Sequence, residues 1–205
     1  GARRAPAIAG RSYALYRIHP ATGSYDVLDD TRSQVYRGQK AETSAGNAAI
    51  AATSGKVLLN GTALVNAMFH SAAGGATENN ENVFVSPAGA RVATPVAYLR
   101  GSSDRDPAGV PYDAGAPYAT WQTKAYTVAD LSAIFAKDGR TSVGVLTSLD
   151  LRNRGVSGRL ISVTLTGTSG IRTVSGAVFL AAFNAGKPST DPPLRGTLLD
   201  VAPIP

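Results

Sequence analysis

Lys56-Val57-Leu58-Leu59-Asn60-Gly61-Thr62-Ala63-Leu64-Val65 is the clearest local signal in the chain. Two apolar runs flank Asn60-Gly61, and Asn-Gly supplies two positive-φ positions for a tight hairpin turn. The second run continues through Asn66-Ala67-Met68 and reads as a strand. It delivers the chain into residues 69–84, Phe69-His70-Ser71-Ala72-Ala73-Gly74-Gly75-Ala76-Thr77-Glu78-Asn79-Asn80-Glu81-Asn82-Val83-Phe84. There the apolar character stops. Paired glycines let backbone approach another polar group closely, and the amides, hydroxyls and acids that follow suit a sugar. The plain alternative is a surface loop, since Gly and Asn are ordinary turn formers.

Upstream of the hairpin, Ala5, Ile8, Ser12 and Leu15 recur at spacings of three and four and predict a helix over 4–18, with Pro6 in its first turn. His19-Pro20 ends it, and a turn and a short extended piece, Tyr25-Asp26-Val27-Leu28, follow. Thr43-Ser44 caps a second helix over 45–53, with Gly55 as its stop. Downstream, residues 86–117 carry Pro87, Pro95, Pro107, Pro111 and Pro117 and read as one long loop. A loop of that length is usually functional or wraps the surface. Residues 118–125, around Trp121, read as a strand. Thr127-Val128-Ala129-Asp130 opens a third helix with a capping-box pattern, and Leu131, Ile134 and Phe135 form its apolar face. Strands follow over 143–152, 159–166 and 171–174, with a turn at 167–170. Ser175 caps a fourth helix over 177–184, and 194–201 reads as a last strand. No internal repeat is visible. Helices mixed with hairpin-linked strands predict an α+β fold, mainly antiparallel sheet with about four short helices.

The 205 residues suit a single domain, with room for a small lobe within 86–125. Hydrophobic residues make up 43% and charged residues 17%, enough apolar material for a packed core. No run reaches the roughly 20 apolar residues of a membrane helix, and the opening Gly1-Ala2-Arg3-Arg4 shows no signal-peptide h-region. With no cysteine, disulfides and thiolate metal sites are excluded. His19 and His70 are too few for a His-rich site, which leaves a mixed His/carboxylate site formally open. The net charge of +6 comes from scattered residues in runs no longer than two, without the interleaved aromatics that stack bases. It fits an anionic polymer such as a bacterial wall polymer better than nucleic acid.

Taken together, several stretches resemble the SpoIID/LytB family of bacterial cell-wall proteins. They are Ala7-Ile8-Ala9-Gly10-Arg11-Ser12-Tyr13-Ala14-Leu15, Ser33-Gln34-Val35-Tyr36-Arg37-Gly38, Ala52-Thr53-Ser54-Gly55-Lys56-Val57-Leu58, Phe69-His70-Ser71 with Gly74-Gly75-Ala76-Thr77-Glu78 and Asn82-Val83-Phe84, Tyr98-Leu99-Arg100-Gly101, Trp121 with Leu131, and Gly158-Arg159 through Gly167. The resemblance implies one SpoIID/LytB-like domain over 1–205 and a role on peptidoglycan glycan strands outside the cytoplasm, in the wall or secreted. In the sporulation branch the role is lytic transglycosylase; in the other branch it is enhancement of a wall amidase. The family's catalytic glutamate stands ten residues before the Arg that matches Arg11, which places it at Gly1. Glycine has no proton to give, so the catalytic residue stays unknown. Sporulation members can carry Cys and His in the loop that here reads Leu28-Asp29-Asp30-Thr31-Arg32-Ser33; neither type is present, and no zinc or other cofactor is expected.

The residues expected to bind substrate are Arg11, Tyr36, His70, Ser71, Gly74, Gly75, Thr77 and Glu78. Each has a plainer role. His70 serves equally as a structural histidine, Arg11 as the partner of an acid, and Tyr36, like Trp121, as an edge or core aromatic. Glu78 and Glu81 are the nearest carboxylates to the glycine pair; one of them replaces the missing acid, or both are solvated loop acids, as for Asp104 and Asp106. The start of the first helix and the paired-glycine turn are expected to share one sugar-sized trench. Three functions remain open: glycan cleavage through an anhydro-sugar product if a glutamate is native at position 1, non-catalytic glycan binding or amidase enhancement, and a structural role without glycan affinity.

Overall fold

A computed structural model describes residues 3–18, 23–30 and 32–201. The His19-Pro20 helix stop, Gly1 and the end of the C-terminal tail lie outside them. The chain forms two compact units, 1–71 and 72–205, and the fold is α+β with two small antiparallel sheets.

In the first unit, α1 spans Arg4–Arg17 and α2 spans Ser44–Ala51. Thr43 caps α2 by accepting from Gly46 N, and Gly55 takes φ +70° just beyond it. A 3-10 turn, Gln39–Ala41, precedes α2. Of the expected α1 face, Ser12 is buried but Leu15 is exposed; Tyr13 is buried instead, against the edge of Phe69 with ring centroids 6.1 Å apart. The hairpin forms as β1 (Leu59–Asn60) and β2 (Ala63–Leu64), shorter than the apolar runs suggest. Its register pairs Asn60 with Ala63. The turn residues are therefore Gly61 and Thr62, and among the described residues there only Gly61 has positive φ, +62°. A turn with glycine at its first central position needs only that one.

In the second unit, α3 (Asn80–Val83) is a short helix the sequence reading missed. α4 (Val128–Ala136) carries the expected capping box between Thr127 and Asp130. β3 (Leu146–Asp150), β4 (Ser162–Gly167) and β5 (Gly170–Ser175) form a three-stranded antiparallel sheet in the order β3-β4-β5. α5 (Gly176–Gly186) follows, capped by Ser175. Its Phe179 and Phe183 pack with Phe135 of α4 on Leu146, Val163, Leu165 and Val174 of the sheet. Val163 and Leu165 are fully buried. The strands expected over 118–125 and 194–201 do not form. In the latter, both backbone groups of Leu194 pair with the Asn184 amide, at 2.8 and 2.9 Å, rather than with a strand.

The long loop over 86–117 holds together through isolated bridges, and two of them belong to a motif that recurs. Val85 bridges Arg91, Arg105 bridges Pro111, and Arg154 bridges Leu160. In each, the glycine at the fifth position has positive φ, +85° at Gly89, +83° at Gly109 and +81° at Gly158. In each, its N–H donates to the second residue's carbonyl, at 2.8, 2.9 and 3.0 Å. Two of the copies share Pro-Ala-Gly, Pro87-Ala88-Gly89 and Pro107-Ala108-Gly109, a short repeat the sequence reading missed; the third, Val156-Ser157-Gly158, keeps only the glycine.

Candidate functional site

The expected site residues divide between the two units. Arg11, Tyr36, His70 and Ser71 lie in the first; Gly74, Gly75, Thr77 and Glu78 lie in the second. Arg11 is turned to backbone rather than to an acid. Its Nη1 donates to Thr53 O at 2.7 Å and Lys56 O at 2.9 Å, and Nη2 reaches Ile50 O at 3.4 Å. A cation among the carbonyls at the end of α2 complements the helix dipole. Ser12 beside it bonds Ile8 O and accepts from Leu58 N, tying α1 to the hairpin. Tyr36 is 65% exposed, so its ring is free to stack on a flat apolar face. His70 and Ser71 are exposed.

The stretch from 74 to 82 is woven into the second unit. Gly74 N donates to Asp113 Oδ2 at 2.6 Å, and that N–H holds the Asp113 carboxyl below its ordinary range. Arg159 donates to Ala73 O and Ala76 O at 2.6 and 2.9 Å. Thr77 N donates to Ser102 O, and Ser102 N donates back to Thr77 Oγ1, both at 2.9 Å. Asn79 Oδ1 accepts from Gly101 N, and Asn80 Oδ1 accepts from Val96 N and Arg100 Nη2. Glu81 is buried and paired with Arg100, whose Nη1 lies 2.8 Å from Oε1. That guanidinium brings the Glu81 pKa down to about 2.

Glu78 is held most tightly. Its Oε1 accepts from Asn79 N, Asn82 Nδ2 and Val156 N, and its Oε2 accepts from Ser157 N and Ser157 Oγ, the last at 2.6 Å. Burial by itself raises this carboxyl's pKa, but the bonds from Ser157, Asn82 and Asn79 outweigh it and the net shift is downward. Neither glutamate is a solvated loop acid. An ionised carboxylate already accepting five bonds is an anchor for two loops, and it is a poor proton donor near neutral pH.

This weave leaves a groove of about 270 Å³, bounded by residues 75–77, residues 101–103, Arg105 and Val156. Ala76 and Ser103, both in its lining, pair in an isolated antiparallel bridge. Gly75, at φ +87°, lies against the Arg105 guanidinium: a Cβ there would stand 2.7 Å from Nη2. Gly101 is as constrained, since its Cβ would meet Val156 Cγ2 at 2.4 Å. Of the expected residues, Gly75 and Thr77 line this groove. Ser102, Ser103 and Arg105 were missed, because nothing local in the sequence links 101–105 to the glycine pair. Among the described residues no group of His, Asp or Glu is placed to hold a metal ion, and no helix is long and apolar enough to cross a membrane.

Residues 1–59 match the family described as SpoIID, stage II sporulation protein. This N-terminal segment is similar to SpoIID. The SpoIID match covers α1, α2 and the Arg11 contacts between them, and it points to a cell-wall-related role. No curated protein matches the chain.

Proposed function

We propose that the chain is an extracytoplasmic, SpoIID/LytB-like domain over 1–205 that binds peptidoglycan glycan strands. The single observation that carries this is the second unit's groove, where backbone and hydroxyl groups of residues 75–77 and 101–103 meet beside the Arg105 guanidinium. Such a surface offers hydrogen bonds to hydroxyl and amide groups without offering a proton. The SpoIID match over 1–59 supports a wall polymer as the ligand. Because glycine stands where the resemblance expects the catalytic glutamate, the proposal is binding without cleavage, with amidase enhancement as the downstream role.

The test incubates the 205-residue chain with peptide-free glycan strands and reads both retention and anhydro-sugar ends. Retention without new ends is the expected result. Appearance of anhydro-sugar ends would move the chain to the lytic transglycosylases, and failure to retain strands would leave only a structural role.

A further inference from the structure

The recurring turn motif supplies its own control. In two of its copies an arginine opens the turn and donates through Nη1 to the glycine carbonyl, Arg105 to Gly109 O and Arg154 to Gly158 O, both at 2.8 Å. Each guanidinium is thereby tied to its own turn. In the Arg154 copy the remaining face is filled by the chain itself: Nη2 donates to Leu199 O at 2.9 Å and to the Asp200 carboxylate at 2.8 Å. In the Arg105 copy Nε and Nη2 have no hydrogen-bond or ion-pair partner among the described residues. They lie over Gly75, the one residue type that leaves them room, and the guanidinium lines the groove.

We propose that Arg105 is a carboxylate-binding residue, and that the groove takes an acidic sugar whose carboxylate sits where Asp200 sits on Arg154. A planar guanidinium already fixed on one side matches a carboxylate through its two free donors, while Ser102, Ser103 and the backbone of 75–77 face the sugar's neutral groups. Such a residue separates glycan whose lactyl carboxylates are free from glycan in which each is closed as an amide. The identity of the sugar rests on the glycan reading above; the carboxylate site does not.

Two measurements on the 205-residue chain test this. In the first, ¹⁵N-labelled protein is titrated with acetate, and separately with inorganic phosphate, at constant ionic strength. Acetate is expected to shift the amides of Gly75, Ala76 and Ser103 saturably, and Arg105→Gln to abolish those shifts while leaving the rest of the spectrum in place. Stronger shifts with phosphate than with acetate, or shifts unchanged in Arg105→Gln, would overturn the carboxylate assignment. In the second, retention on peptide-free strands is compared with retention on the same strands after their carboxylates are converted to amides. Capping is expected to weaken retention about tenfold, the size of one lost charged hydrogen bond, and Arg105→Gln to remove the difference. Equal retention of both strands would sink this inference and leave glycan binding standing. Loss of both with the acetate shifts intact would sink the glycan reading and keep the carboxylate site.

Discussion

Glu78 shows how a residue that looks like a reacting group in the sequence becomes a structural one in the fold. Its two oxygens accept five hydrogen bonds, three of them from the turn at 156–157. Gly155 is part of the same packing, since a Cβ there would lie 2.1 Å from Glu78 Oε2. Glu78→Gln turns an N–H₂ toward N–H and O–H donors, and is expected to cost on the order of 2 kcal/mol. Urea unfolding checks it; a change within about 0.5 kcal/mol, the range of ordinary surface substitutions, would mean that the carboxylate anchors nothing. Arg105 is the complementary case, a side chain that looks incidental in the sequence and faces a groove in the fold.

At the scale of elements, local chemistry and tertiary contacts share control. α4 starts where its sequence says it should. Thr127 Oγ1 accepts from Asp130 N at 3.1 Å, and Asp130 Oδ2 accepts from Thr127 N at 2.9 Å. Thr127→Ala is expected to cost about 1 kcal/mol. Combined with Asp130→Ala, the loss should fall short of the sum of the two, since each bond depends on the other partner's placement; a thermodynamic cycle from chemical denaturation measures this, and strict additivity would count against a coupled cap. The turns at 85–91 and 105–111 share Pro-Ala-Gly as well as their backbone pattern, whereas the turn at 154–160 keeps only the glycine and could be recognised as a third copy only in three dimensions. The expected strand at 194–201 failed for a related reason: the Asn184 amide takes the backbone groups of Leu194.

At the scale of the molecule, depressed carboxylates concentrate in the second unit. Glu81, Asp138 and Asp150 all titrate at about 2, each beside an arginine: Arg100, Arg140 and Arg152. Glu78, Asp113, Asp130 and Asp191 are also lowered. A folded pKa below the unfolded one adds stability above the unfolded value and loses it as pH falls through the folded value. The unfolded values are 4.5 for Glu and 3.8 for Asp. Stability is therefore expected to hold above about pH 4.5 and to fall steadily from there toward about pH 2. Trp121, the chain's single tryptophan, lies in this unit, so its fluorescence during urea titrations at stepped pH reports the loss. A midpoint that stays level down to pH 2.5 would contradict the ion pairing described.

By itself the sequence determined the α+β class, the first helix, the cap of α2, the hairpin, the capping box of α4 and the Ser175 start of α5, because each rests on periodicity or on residues within a few positions of one another. It also carried the SpoIID resemblance and the choice of the paired-glycine stretch, of which Gly75 and Thr77 line the groove. Only the tertiary structure decided what the polar run after those glycines does. Asn79, Asn80, Glu78 and Glu81 find their partners at 94–101 and 156–157, and a hydrogen bond between residues so far apart in the chain leaves no local pattern to read. The same separation hid Arg105, whose neighbour Gly75 stands thirty positions earlier.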